Sequence, residues 1–198
     1  MPREAKTGYG LVMYRNIGRG IEVFLVHAGG PYWKNRDLGS WTIPKGGSFE
    51  TETDPLESAK REFHEETGVI PHAPFFPLGS VKQKGGKVVH AWAFEMRGLP
   101  RRFTSNLYEI EWPPHTGRKI KVPEIDKWQF FSMRVARTKI LESQSPFLDR
   151  LLEVLHKTPG NVQKNKNLPP QGHRGKSEEK TKTRRGRRRR FRYADKKQ

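Results

Sequence analysis

The chain has 198 residues and a formal net charge of +18, from 39 Lys and Arg against 21 Asp and Glu, and it contains no Cys. A core of about 150 residues already buries roughly two-thirds of its unfolded surface, so this length predicts one domain with an appendage rather than two domains. The absence of Cys excludes a disulfide framework, thiolate zinc sites and a Cys nucleophile, and it favours an intracellular protein. No stretch approaches the roughly 20 apolar residues of a membrane span, and the N-terminal segment lacks the apolar core of a signal peptide. We therefore expect a cytoplasmic location, or a nuclear one if the source is a eukaryote.

The first elements in chain order are two strands, because residues 8–14 and 21–27 are largely apolar segments separated by a short turn. A loop rich in Gly, Pro and aromatic residues follows at residues 28–39. Further along, Gly85 and Gly86 separate two strand-like segments, and a Gly pair in this setting predicts a tight hairpin.

Between these regions, residues 54–68 carry the signals of a capped helix. Asp54 is the expected N-cap, Pro55 suits the first helical position, and Glu57 is placed to reach back to the cap. Gly68 is the expected stop. The apolar stripe of this helix consists of Leu56, Ala59 and Phe63.

The same helix carries three carboxylates, Glu62, Glu65 and Glu66, at positions i, i+3 and i+4. This spacing brings them to one side of a helix, close enough to hold a divalent cation. The ordinary alternative is a solvated acidic face held by pairs such as Glu57 with Arg61 and Arg61 with Glu65. Against it, Glu65 and Glu66 fall in the last turn, where the helix dipole disfavours anions by a few tenths to about 1 kcal/mol each. The pattern therefore favours a metal site.

Toward the C-terminus, a short strand is expected near residues 128–131 and helices near residues 133–141 and 146–156. The last helix has an apolar face of Phe147, Leu151, Val154 and Leu155. Strands and helices mixed in this order indicate an α/β or α+β sandwich.

Residues 47–69 resemble the Nudix box, whose pattern is Gly, five residues, Glu, seven residues, then Arg-Glu-aliphatic-x-Glu-Glu-x-Gly-aliphatic. The matching residues are Gly47, Arg61, Glu62, Glu65, Glu66, Gly68 and Val69. Phe63 stands where an aliphatic residue is usual, and Thr53 stands where the first glutamate is expected. Because Thr cannot supply a charge, a weakened metal site or compensation by neighbouring residues follows from the resemblance.

The resemblance implies an α/β/α Nudix fold with a mixed sheet over residues 1–157. It also implies that Glu65 and Glu66 bind metal, that Glu62 is a ligand or the base for water, and that Arg61 orients a glutamate. Clustered carboxylates suit Mg2+ or Mn2+, which prefer oxygen ligands.

The loop before the box has the form Pro-Lys-Gly-Gly and is similar to that of Nudix enzymes acting on long polyphosphates. Lys45 is a candidate to neutralise a phosphate, and Gly46 and Gly47 permit the backbone to approach a ligand closely. His64 lies off the carboxylate face, and we assign it no metal role.

Other side chains leave alternatives open. Four downstream acids are candidate ligands or bases, although surface or loop positions are the simpler interpretation: Glu109, Glu111, Glu124 and Asp126. Five tryptophans are candidates for base stacking, although each is first a core candidate: Trp33, Trp41, Trp92, Trp112 and Trp128.

Residues 158–198 carry 15 Lys and Arg against 3 acidic residues, a net charge of +12, with almost no aliphatic residues. This composition predicts a tail that is disordered alone. The arginine run that begins at Arg184 and ends at Arg192, with Phe191 and Tyr193, suits contact with the backbone of RNA or DNA. A nuclear-localisation patch, attraction to anionic membranes and a solubilising extension are the alternatives.

Three functions follow from these observations. The first is Mg2+-dependent hydrolysis of a phosphoanhydride bond in a nucleoside diphosphate linked to another group, with dinucleoside polyphosphates or nucleoside triphosphates favoured as substrates. The second is removal of pyrophosphate or a cap from the 5′ end of RNA recruited by the tail. The third is a non-catalytic nucleotide- or RNA-binding protein on a Nudix fold.

Overall fold

The computed structural model describes residues 7–47, 53–97 and 105–157. Within these ranges the strands are β1 (Thr7–Asn16), β2 (Ile21–Ala28), β3 (Trp41–Thr42), β4 (Lys45–Gly46), β5 (Phe76–Lys82), β6 (Val88–Glu95), β7 (Leu107–Glu111), β8 (Lys119–Pro123) and β9 (Ile125–Ser132). The α-helices are α1 (Pro55–Thr67), α2 (Met133–Lys139) and α3 (Ser145–Lys157), and a short 3-10 turn covers Glu142–Gln144. No helix in these ranges is long and apolar enough to cross a membrane.

The central sheet has seven strands in the order β3-β2-β1-β6-β5, with β4 paired to β1 and β9 paired to β2. β1 and β6 run parallel, and the other pairs in this sheet are antiparallel. β2 pairs with β1 at residues 21–23 and with β3 at residues 26–27. β1 and β2 therefore separate toward one end, and the short strands β3 and β4 lie in the gap between them.

Both faces of the sheet are covered because the buried strands are apolar on both sides. Leu11 and Met13 of β1 belong to one core cluster with Phe63 of α1. Val12, between them, belongs to a second cluster with Leu151 of α3. This period-2 alternation places α1 on one face and α2 and α3 on the other. The expected α/β/α sandwich with a mixed sheet is confirmed, while the tail at residues 158–198 lies outside the described residues.

Helix α1 has the predicted ends. The Asp54 side chain accepts a hydrogen bond from the backbone N–H of Leu56 at 2.8 Å, and Gly68 ends the helix with φ of 70°. Glu57 differs from the expectation, because its carboxylate accepts a bond from Lys60 at 2.6 Å rather than reaching back to the cap.

Two regions depart from the sequence prediction. The glycine hairpin forms as expected, with φ of 97° at Gly85 and 88° at Gly86. Its first strand, β5, begins at Phe76, whereas the sequence predicts that strand only from Val81. The two-stranded sheet of β7 and β8 was not predicted at all. Its strands are short and mostly exposed, so they lack the apolar pattern by which strands are identified.

Candidate active site

The loop before the box is fixed against the sheet and the box helix at once. β4 pairs with the start of β1, with Tyr9 opposite Gly46. A Cβ added to Gly46 would overlap the carboxylate of Glu62, so only glycine allows this side chain to lie against the strand. The backbone N–H of Lys45 donates to a carboxylate oxygen of Glu66 at 3.0 Å. The structure thus brings the Lys-Gly-Gly loop against two of the three predicted ligands.

Arg61 joins the third carboxylate to the same loop. Its Nη1 lies 3.0 Å from Glu65 Oε2 and 3.0 Å from Glu62 Oε1. Its Nη2 donates to the carbonyl oxygen of Gly47 at 2.9 Å. Arg61 therefore contacts two glutamates and the loop together, and the orienting role that the resemblance implies stays a prediction. Thr53 is exposed immediately before Asp54, the N-cap of α1.

A pocket of about 250 Å3 opens beside this arrangement. Three charged side chains line it: Lys45, Glu66 and Glu124. Apolar groups complete the wall, including Val26, Tyr108 and Ile125. Of the four downstream acids, Glu124 alone lines this pocket. Glu109 and Glu111 are exposed on β7 opposite Lys121 and Lys119, and Asp126 binds His27.

Burial dominates the electrostatics of the pocket. Burial raises the pKa of Glu66 to about 8. The positive charge of Lys45 lowers this pKa, and the negative charge of Glu124 raises it further. Burial also lowers the pKa of Lys45 and raises the pKa of Glu62, although Arg61 opposes the latter change. Carboxyl groups that are desolvated and close to one another are arranged for a partner of positive charge.

The donor atoms fit a hard divalent cation in kind. Carboxylate oxygens are the ligands that Mg2+ and Mn2+ prefer, and Glu66 is only 8% exposed. In the described part of the chain, however, no three acidic or histidine side chains are gathered into a ready ligand set. The Arg61 guanidinium contacts oxygens of Glu62 and Glu65 that a metal would use. The ligand assignment of Glu62, Glu65 and Glu66 stays a prediction.

The remaining candidates divide by burial. His64 is exposed on α1. Trp41 is a core residue with 5% exposure, whereas Trp128 is 48% exposed on β9. Trp112 meets Tyr32 edge-on, with ring centroids 4.9 Å apart. Tyr108 was not considered from the sequence, because nothing local marks a half-exposed tyrosine on β7 as part of a pocket.

Comparisons with known proteins identify a matching family. A model of the NUDIX domain matches residues 5–151. An RNA pyrophosphohydrolase of Bartonella henselae is 34% identical over 109 residues, in a match that covers 47% of this chain and 57% of that protein. The chain therefore spans little more than half the length of that relative.

Solved structures share the fold at low identity. An Ap4A hydrolase of C. elegans, in a binary complex, is 22% identical with a TM-score of 0.54, covering 77% of this chain and 99% of that chain. The NUDIX domain of Shewanella oneidensis NrtR, complexed with ADP ribose, is 15% identical with a TM-score of 0.55. That match covers 77% of this chain and 90% of the NrtR chain.

The layered fold, with a carboxylate helix following a Lys-Gly-Gly loop, defines a Nudix domain. Because the family model also matches most of the chain, this protein belongs to the Nudix hydrolase superfamily.

Proposed function

We propose that the protein hydrolyses a phosphoanhydride bond in a nucleoside diphosphate linked to another group, with dinucleoside polyphosphates or nucleoside triphosphates as favoured substrates. The observation that carries this proposal is the meeting of Lys45, Glu66 and Glu124 in one open pocket, directly beside Arg61 and Glu62 on α1. Acidic groups in a polyphosphate site require positive charge between them and the substrate, and family membership points to divalent ions.

In this proposal Glu62, Glu65 and Glu66 would hold Mg2+ or Mn2+. An ion bound there would neutralise charge on the reacting phosphate and make the attacking water more acidic. Lys45 binds a phosphate oxygen of the substrate. Gly46 and Gly47 keep the loop backbone close to the phosphates. Arg61 keeps Glu62 and Glu65 on the side of the helix that faces the loop.

Glu124 is the second carboxylate of the pocket, beside Glu66. The sequence alone is compatible with either a metal ligand or a base at this position. It lines the pocket from the junction of β8 and β9, and its charge raises the pKa of Glu66. We assign it the role of accepting the proton of the attacking water.

RNA with a 5′ triphosphate is the second candidate substrate. It is favoured by the sequence similarity to an RNA pyrophosphohydrolase and by the net charge of +12 on residues 158–198. A triphosphate at an RNA end contains the same anhydride bonds as a nucleoside triphosphate, so one site would serve both.

The test is a turnover assay on ATP, Ap4A and 5′-triphosphorylated RNA with Mg2+ or Mn2+, and with chelator as the metal-free reference. Wild type is compared with Glu65→Gln and with the matched control Glu153→Gln, an exposed glutamate on α3 across the sheet. We expect Glu65→Gln to lower kcat at least tenfold, about 1.4 kcal/mol in the barrier, and Glu153→Gln to leave it unchanged. Binding of nucleotide or RNA without turnover of any substrate would contradict hydrolysis and favour a binding protein.

A further inference from the structure

His27 at the end of β2 is fully buried, and both of its ring nitrogens face oxygen atoms. Nδ1 lies 2.7 Å from Asp126 Oδ1, and Nε2 lies 2.9 Å from the carbonyl oxygen of Arg36. A carbonyl oxygen can only accept, so Nε2 must carry a proton. The bond between Nδ1 and Oδ1 then also contains one proton, whichever of the two atoms holds it. Asp126 is thereby tied to a rigid, buried side chain.

Asp126 is also the extra residue of a β-bulge. His27 pairs with Lys127, and the next residue of β2, Ala28, pairs with Ile125, so the ladder skips Asp126. Two residues of β9 thus oppose His27, and the Asp126 side chain turns toward the imidazole. A bulge of this kind shifts every following pair by one residue and re-aims the side chains beyond it.

The shift decides which residue faces the pocket. With the bulge, Ile125 lies in the core cluster under α1 and lines the pocket. With regular pairing, Asp126 would lie opposite Ala28 and Ile125 would point to the other face of the sheet. Glu124, which precedes Ile125 in the chain, is held in its present position by two backbone hydrogen bonds. The Gly29 N–H donates to the Glu124 carbonyl at 3.0 Å, and the Glu124 N–H donates to the Asn106 carbonyl at 2.8 Å.

We infer that His27 and Asp126 are positioning residues whose hydrogen bond fixes the bulge and so places Glu124 in the pocket beside Lys45 and Glu66. This inference rests on the proposed hydrolase function. Packing alone does not explain why His27 and Asp126 occur together. An apolar residue would fill the space of the His27 ring, whereas burying an imidazole destabilises the fold unless both of its ring nitrogens are hydrogen-bonded.

The decisive comparison is Asp126→Ala with Asp126→Asn. Alanine removes the anchor of the bulge. Asparagine preserves it with reversed polarity, since its amide N–H can donate to the Nδ1 of a neutral His27 whose Nε2 still donates to Arg36. If the alanine variant does not fold, Asp126→Ser replaces it, because its hydroxyl is too short to reach the ring.

Two readouts separate positioning from a merely structural role. The first needs no turnover. It is the NMR methyl contact expected between Ile125 and Val26, which share a core cluster and line the same pocket, together with the hydrogen-exchange protection of the Gly29 amide. The second is a kinetic double-mutant cycle on 5′-triphosphorylated RNA or Ap4A, in which Asp126→Ala and Asp126→Asn are made in wild type and in Glu124→Gln.

We expect Asp126→Ala to abolish the methyl contact and the Gly29 protection, and to lower kcat about tenfold with a smaller change in KM. In the Glu124→Gln background the same change should lower kcat less than about twofold, because the carboxylate that it positions is already gone. Asp126→Asn should keep both structural signals and restore kcat to within about threefold of wild type. An equal loss of kcat in the two backgrounds, or an intact methyl contact in Asp126→Ala, would overturn the inference.

Failure of the proposed function gives a different pattern. Wild type would then turn over neither substrate, while the methyl contact and the Gly29 protection would still decide whether Asp126 fixes the bulge. If Glu124→Gln is as active as wild type, hydrolysis stands and the positioning role is wrong.

Discussion

Thr53 is the residue at which this chain departs most from the Nudix box. The contacts of Arg61 in the structure show what this departure affects. Arg61 has no carboxylate at position 53, and the described bonds of its guanidinium run to Glu62, Glu65 and the Gly47 carbonyl. Two predicted metal ligands are therefore ion-paired to the arginine. A cation bound by these glutamates would have to compete with that guanidinium for their oxygens.

Thr53→Glu should raise the Mg2+-dependent rate and the affinity for Mg2+ several-fold. A carboxylate at position 53 would give Arg61 another partner and leave Glu62 and Glu65 freer to bind metal. Thr53→Gln has the same length without the charge and is the matched control. Turnover against Mg2+ concentration, with Mg2+ affinity from calorimetry, measures both effects; a glutamate variant that is neither faster nor tighter would mean that the present site already compensates.

At the scale of elements, α1 is the part of the site that the sequence predicts best, because its signals are local. Asp54 accepts from the Leu56 amide, as its position before Pro55 indicates. We expect Asp54→Ala to lower the free energy of unfolding by about 1 kcal/mol, or roughly 2–4 °C in Tm for a domain of this size. Asp54→Ser retains a capping oxygen and should lose only a few tenths of that value. Thermal and urea unfolding check the order of the three proteins.

Asp37 connects the loop before β3 to α2 and to Trp41. Lys139 of α2 and the Trp41 indole both donate to its carboxylate, and these bonds lower its pKa below the ordinary value of 3.8. A carboxylate with a lower pKa in the folded chain contributes stability above its unfolded pKa and loses it as the pH falls through the folded pKa.

The Tm advantage of wild type over Asp37→Asn should therefore be largest above about pH 5 and shrink on acidification below pH 4. Lys139→Gln, which removes the leading cause of the shift, should behave like Asp37→Asn, and Glu153→Gln serves as a surface control. A difference in Tm that is constant with pH would show that the Asp37 charge is not what holds the loop.

What the sequence could not predict depends on register rather than on local pattern. The box helix, the first two strands and the glycine hairpin are marked by residues within a few positions of one another. The bond between His27 and Asp126 joins residues 99 positions apart. The bond lies at a bulge that shifts β9 by one residue, and a single sequence carries no signal of that shift. For the same reason Glu124 could be named only as one of four acids.

At the scale of the whole molecule, charge is divided unevenly along the chain. Residues 158–198 account for +12 of the net +18. We propose that these residues bind the phosphate backbone of RNA while residues 1–157 carry out hydrolysis, so the two activities should separate on truncation. Binding to single-stranded phosphates releases counterions, which makes it steeply dependent on salt.

Deletion of residues 158–198 should abolish most RNA affinity and flatten its dependence on salt, by about 0.7 in the log–log slope for each phosphate that the chain no longer neutralises. Turnover of ATP or Ap4A should stay within about twofold, because the pocket residues all lie before residue 158.

Replacing only the arginines from Arg184 to Arg192 by glutamine tests the charge itself at constant length. Fluorescence anisotropy on a labelled RNA at several salt concentrations, run beside the turnover assay, measures the two activities on the same protein. A truncated protein that loses small-nucleotide turnover as strongly as RNA binding would show that the tail belongs to the catalytic unit, and one that keeps its RNA affinity would place the RNA site on the Nudix domain.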